Sequence, residues 1–216
     1  MEDKKKQPLF SAANMKLLSQ PLGRKNPITT QVLGVCSALA VTVKLEPAFV
    51  MAVSVIVVVA LSNLFISLLR NTIPPRIRMI VQMMIVAALV MLVNQILQAF
   101  VYDISKKLSI FVGLIITNCI VMGRLEAFAM TNRPWQSFID GIGNGAGYGI
   151  ILMIVAFFRE LLGSGTIWDF PVIPQAFYDA GYVNNGMFIL PPMALIVVGI
   201  MIWVQRARNK DLIEKH

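Results

Sequence analysis

The sequence predicts an all-α integral membrane protein. Six transmembrane helices form two inverted three-helix repeats, with the first helix of each repeat short or broken. Three observations predict this. Hydrophobic residues make up 57% of the 216 and charged residues 14%, with mean hydropathy +0.73, whereas soluble domains are about a quarter charged. Apolar residues gather in runs long enough to cross a ~30 Å hydrocarbon core. Basic residues fall between those runs with a bias to one side.

Residues 1–28 form a basic N-terminal arm, expected in the cytoplasm, without the apolar stretch of a cleavable signal peptide. The transmembrane domain is expected over 29–207, with a cytoplasmic tail at 208–216. The first repeat, about 29–101, holds a short segment at 29–43 opening on Thr29-Thr30-Gln31, then long runs at 48–69 and 79–101. The second, about 108–207, holds a short segment at 108–123 interrupted by Thr117-Asn118-Cys119, then runs at 145–162 and 187–204. With both termini cytoplasmic, fifteen of the 19 Lys and Arg lie inside. Only Lys44, Lys106, Lys107 and Arg159 lie outside. A wrong helix count would blur such an asymmetry. The net charge of +8 therefore belongs to arms and loops. No basic stripe interleaved with aromatics is present, which disfavours nucleic acid as a partner and leaves the lipid bilayer.

The repeat is visible around the only two cysteines. LGVCSALAVTVKLEPAF surrounds Cys36 and GLIITNCIVMGRLEAFA surrounds Cys119. Each cysteine is followed by a basic residue, Leu and Glu: Lys44-Leu45-Glu46 and Arg124-Leu125-Glu126. Each half then has a long run ending near an arginine, Arg70 or Arg159. Three crossings is an odd number, so the second half enters from the opposite side. Such repeats place corresponding residues about an axis in the membrane plane, and short helices in matching positions point to a site.

The cysteines admit three readings. A buried cysteine is ordinarily a small hydrophobe. A disulfide has little support facing reducing cytoplasm. A metal or iron–sulfur site completed by a partner's thiolates fits their matching, polar, interrupted segments. Thr117 and Asn118 either join helices or donate hydrogen bonds to cluster sulfurs. Glu46 and Glu126 read as interfacial ion pairs beside Lys44 and Arg124, or as stops on an ion path.

DGIGNGAGYGI, 140–150, lacks the Gly-Lys-Ser/Thr ending of a phosphate loop and has no preceding strand. Counted in fours, Gly141, Gly145 and Gly149 make one close-packing face, and Gly143 and Gly147 another. The 163–186 loop carries Trp168, Phe170, Phe177, Tyr178 and Tyr182, suited to the outer interface. Met79, Met83 and Met84 read as packing filler. His216 is the only histidine, so no His-based site is available within the chain.

The two cysteine motifs resemble those of the NqrD/NqrE–RnfA/RnfE family, over nearly the whole chain. The long basic arm and the orientation resemble the Nqr side. The resemblance implies a membrane electron-relay subunit of a Na⁺-pumping NADH:ubiquinone oxidoreductase in the bacterial inner membrane. Cys36 and Cys119 would hold a 2Fe–2S cluster together with two cysteines of an NqrE-like homologue lying in the opposite orientation. NqrA-, NqrB-, NqrC- and NqrF-like subunits complete such a complex. Electrons would run from the NADH-oxidising subunit to the NqrC flavin, with Na⁺ as coupling ion. The alternatives are the equivalent subunit of an Rnf ferredoxin:NAD⁺ oxidoreductase, an ion-transporter subunit with structural cysteines, and a purely structural assembly subunit. The chain offers no nucleotide motif and no nucleophile–base pair, so it is not expected to be catalytic alone.

Overall fold

A computed structural model describes residues 17–21, 26–100, 113–167, 170–171 and 186–208. These residues are helical apart from turns and one two-residue antiparallel pairing, Thr166–Ile167 with Phe170–Pro171.

Helix α1, Val35–Val41, is only seven residues long and follows Gly34, whose φ of +81° suits a residue without Cβ. Helix α2, Leu45–Leu69, starts after a three-residue break and is predominantly apolar; Glu46 in its first turn complements the helix dipole. Helix α3 is Arg78–Phe100. Residues 113–116 are helical, the helix breaks at Thr117-Asn118, and α4 runs from Cys119 to Arg124. The Asn118 side chain caps α4, accepting from the Ile120 N–H at 3.2 Å. A wider π-helical turn, Leu125–Ala129, continues it. Helix α5, Pro134–Gly163, starts on a proline at its first position, where no backbone donor is missed. A 3₁₀ turn, Gly186–Ile189, leads into α6, Pro191–Arg208.

Among the described residues three helices, Leu45–Leu69, Arg78–Ala99 and Pro134–Gly163, are long and apolar enough to cross a membrane. The 30 residues of α5 extend about 45 Å. This helix begins eleven residues before the run expected at 145. The glycine-rich stretch is thus helix interior. The run expected at 187–204 is divided between the 3₁₀ turn and α6. Of the aromatic loop, Trp168, Phe177, Tyr178 and Tyr182 lie outside the described residues.

The core is built on α2 packed antiparallel against α5. A Cβ on Gly141 would lie 2.7 Å from the Ala60 Cα, one on Gly145 2.8 Å from the Ile56 Cα, and one on Gly149 3.0 Å from the Ala52 Cβ. Glycines four apart on α5 thus meet residues four apart on α2, as the sequence spacing predicts. The second glycine face receives the chain's own N-terminal segment. A Cβ on Gly143 would stand 2.9 Å from the Leu17 carbonyl oxygen, and one on Gly147 2.6 Å from that of Pro21. Asn26 donates to the Gly147 carbonyl at 2.9 Å, and Ile28 is fully buried in the core.

Helix α3 presents most of its surface outward. Met79, Met83 and Met84 are exposed there, so these methionines do not fill the core as expected. Their side chains suit lipid or a neighbouring subunit.

The two ends of the α2–α5 pair are stapled reciprocally. At one end, Ser67 Oγ and Arg70 Nη1, late in α2, donate to the Asn132 carbonyl just before α5, at 2.7 and 2.8 Å. At the other, Arg159 and Glu160, late in α5, reach the chain just before α2. Arg159 donates to Thr42 Oγ1 at 2.8 Å and to the Leu39 and Ile189 carbonyls at 3.2 and 2.5 Å. Glu160 Oε2 accepts from the Leu45 N–H at 2.6 Å. Arg159, expected in an outer loop, is instead fully buried. Its fork geometry satisfies three acceptors left over where α1 ends and α6 begins.

Candidate cysteine centre

Cys36 stands in the first turn of α1, and Cys119 is the first residue of α4. Both helices are short because the chain breaks just before them, at Gly34 and at Thr117-Asn118. Those breaks leave unpaired helix-end groups that polar side chains must satisfy. Asn118, beside Cys119, does so for α4; Ser37, beside Cys36, donates to the Gly34 carbonyl at the start of α1, and both side chains meet Tyr148 of α5.

The Tyr148 hydroxyl lies 2.6 Å from Ser37 Oγ. Asn118 Nδ2 lies 3.2 Å from Ser37 Oγ and 3.4 Å from the Tyr148 hydroxyl. Ser37 gives its single hydrogen to the Gly34 carbonyl at 2.9 Å. The hydroxyl hydrogen in the short contact must therefore come from Tyr148. All three side chains are buried. A chain break in each half, one tyrosine between them and two cysteines at the rim make a single locus.

Both cysteines are free and exposed, while Ser37, Ala38, Asn118 and Ile120 around them are buried. Cysteine is among the residue types most often buried. Two thiols offered outward from a buried polar locus fit ligands for a group shared across a subunit boundary. Among the described residues no group of three or more His, Cys, Asp and Glu side chains gathers to hold a metal. Two thiolates are half of what an iron–sulfur cluster takes, and the sequence has no further cysteine.

Of the other expected residues, Thr117 is exposed beside this locus. Glu46 is half-buried at the start of α2. Glu126 is engaged by Arg78, and Gln82 donates to its Oε2 at 3.3 Å. Its expected neighbour Arg124 turns instead to Asp140. Sequence reasoning missed Ser37 and Tyr148. The one signal was a lone tyrosine placed among the five glycines of the 140–150 stretch.

The model of the Rnf-Nqr subunit family, membrane proteins, matches residues 14–202. This chain belongs to the Rnf-Nqr family. Within it, the chain is 58% identical over 201 residues to the D subunit of the Na⁺-translocating NADH-quinone reductase of Haemophilus ducreyi, covering 93% of this chain and 97% of that one. It is 60% identical to the D subunit from Photobacterium profundum, covering 88% and 91%. To the D subunit from Haemophilus influenzae it is 56% identical, covering 92% and 96%. The Rnf-Nqr resemblance visible at the cysteine motifs thus extends across the chain, and these relatives lie on its Nqr side.

Proposed function

We propose that this chain is the D-type electron-relay subunit of a Na⁺-translocating NADH:ubiquinone oxidoreductase. In this reading Cys36 and Cys119 supply two of the four thiolates of a 2Fe–2S cluster, and an E-type homologue supplies the other two. Bound there, the cluster would supply a one-electron stop inside the hydrocarbon core. Electrons would enter from the NADH-oxidising F-type subunit and leave for the C-type flavin subunit. The A- and B-type subunits would complete the route to quinone. The observation that carries the reading is the exposure of both thiols from one buried polar locus.

The element order supports an inverted six-helix repeat. Each half runs from a short or broken helix bearing a cysteine to a long helix, and the two long helices are tied end to end in matching ways. The charge distribution supports the bacterial inner membrane, with both termini cytoplasmic. Arg70, Arg78 and Arg124 are held at one end by the contacts of α2 with Asn132, of α3 with Glu126 and of Arg124 with Asp140. Lys44 stands at the opposite end of α2, just before its first residue. The ion pair of Glu126 with Arg78 favours its structural role over a place on the Na⁺ path. Identity to Nqr relatives favours this complex over an Rnf one.

The test is iron and acid-labile sulfide in the purified complex, comparing wild type with Cys36→Ala and Cys119→Ala. Each variant is expected to lose one two-iron equivalent and to stall electron transfer to the downstream flavin. Unchanged iron and turnover in both would return the cysteines to packing residues.

A further inference from the structure

Among the described residues Tyr148 is the one large polar side chain that touches both cysteine-bearing breaks, and the proposed relay gives it no role. It sits in α5, which is anchored to α2 along a glycine face and is therefore a rigid reference for the two shorter segments. Its ring lies against Gly34: a Cβ there would come within 2.9 Å of Tyr148 Cε2. The left-handed Gly34 thus lets the chain pass close over the ring and turn into α1. The hydroxyl end then fixes both partners. With Ser37 donating to the Gly34 carbonyl, Ser37 Oγ accepts from Tyr148 and from Asn118. Asn118 Nδ2 also lies 3.4 Å from the tyrosine oxygen and Oδ1 caps α4.

We propose that Tyr148 is a positioning residue for the two-cysteine centre. Its hydroxyl ties the start of α1 to the start of α4 and thereby sets how Cys36 and Cys119 stand relative to each other. The inference rests on the cysteine-centre reading for its purpose, though not for its geometry. Buried hydrogen bonds of this kind hold their members in place, and removing one member leaves the others short of a partner. Tyr148→Phe keeps the ring that fills the space over Gly34 and deletes only the tie. Ser37→Ala deletes the same tie from the other side.

Two readouts in the purified complex test the proposal. In the first, iron is removed by chelation and a series of bifunctional maleimides of increasing length is applied. The yield of the Cys36–Cys119 cross-link within this chain is then measured. Loss of one neutral hydrogen bond corresponds to roughly fivefold in a conformational equilibrium. Tyr148→Phe and Ser37→Ala are each expected to lower the shortest-reagent yield by about that factor, while longer reagents link both variants as in wild type. In the second readout, the iron-loaded complex is followed by electron paramagnetic resonance and redox titration. Both variants are expected to keep wild-type iron but shift the g-values and midpoint potential in the same direction. Cross-linking and spectra unchanged in both variants would overturn the proposal. The cysteine-centre reading fails separately, when Cys36→Ala and Cys119→Ala leave iron untouched, because the cross-linking readout needs no cluster.

Discussion

Arg124 shows how a membrane chain accommodates charge in its interior. Its Nε and Nη2 donate to Asp140 Oδ2 and Oδ1 at 3.0 and 2.5 Å, and the two side chains are 13% and 3% exposed. Asn144 adds a hydrogen bond to the same Oδ1 at 3.0 Å, and the Phe128 ring lies 5.3 Å from the guanidinium. The planar fork matches both carboxylate oxygens, which a lysine could not do. Removing one partner strands the other, so Arg124→Leu is expected to cost about 3–5 kcal/mol. Removing both with apolar residues, Arg124→Met with Asp140→Leu, is expected to restore most of that loss. The fraction of chain still folded in detergent after a heating series measures it. Equal damage in single and double variants would show that the pair does not account for the loss. Arg159 makes the contrasting case. It satisfies carbonyls and a hydroxyl at the ends of other helices, so its role is to close the fold where helices stop short.

At the scale of elements, the contact of α2 with α5 decides the architecture. Glycine in a helix interior costs roughly 0.5–1 kcal/mol relative to alanine, and α5 carries several. The close approach that they permit must outweigh that cost through packing along three consecutive turns. Gly145→Val would drive side-chain atoms into the Ile56 backbone, where even a Cβ would sit 2.8 Å from Cα. Overpacking of this kind is expected to cost at least about 1–3 kcal/mol. Gly199 of α6 has open space around its would-be Cβ, so Gly199→Ala in the isolated chain is expected to be neutral or to stabilise by up to about 1 kcal/mol. Thermal midpoints of the two variants in detergent decide between packing and propensity as the reason for the glycines. The same elements show what could be read in sequence. Helix α2 was legible within three residues because it is predominantly apolar. The start of α5 was not, because Ser137, Asp140 and Asn144 look like a polar loop; in the fold the Ser137 and Asn144 side chains bond one turn back along the helix and Asp140 is met by Arg124. Cys36 and Cys119 stood out by their matching motifs. Tyr148 joins residues 111 and 30 positions away, a meeting that no local spacing encodes.

At the scale of the whole molecule, the chain presents surfaces of two kinds. The outer face of α3, with Met79, Ile80, Met84 and Met91 exposed, is mainly apolar, as a lipid-facing helix should be, with Gln95 and Gln98 exposed only toward its C-terminal end. The face carrying Cys36 and Cys119 differs, because reactive thiols stand there over a buried polar network. Lipid offers sulfur no ligand and no hydrogen bond, so this face has reason to be covered by protein. The expectation concerns accessibility. A small membrane-permeant maleimide should label both cysteines when the chain is expressed alone. In the assembled complex it should label neither, and removing iron by chelation should restore labelling at both positions together. Protection lost at one cysteine but not at the other would mean that the two do not serve one group. Full labelling in the assembled complex would place the thiols outside any shared interface and leave the polar locus around Tyr148 as a device for joining broken helices alone.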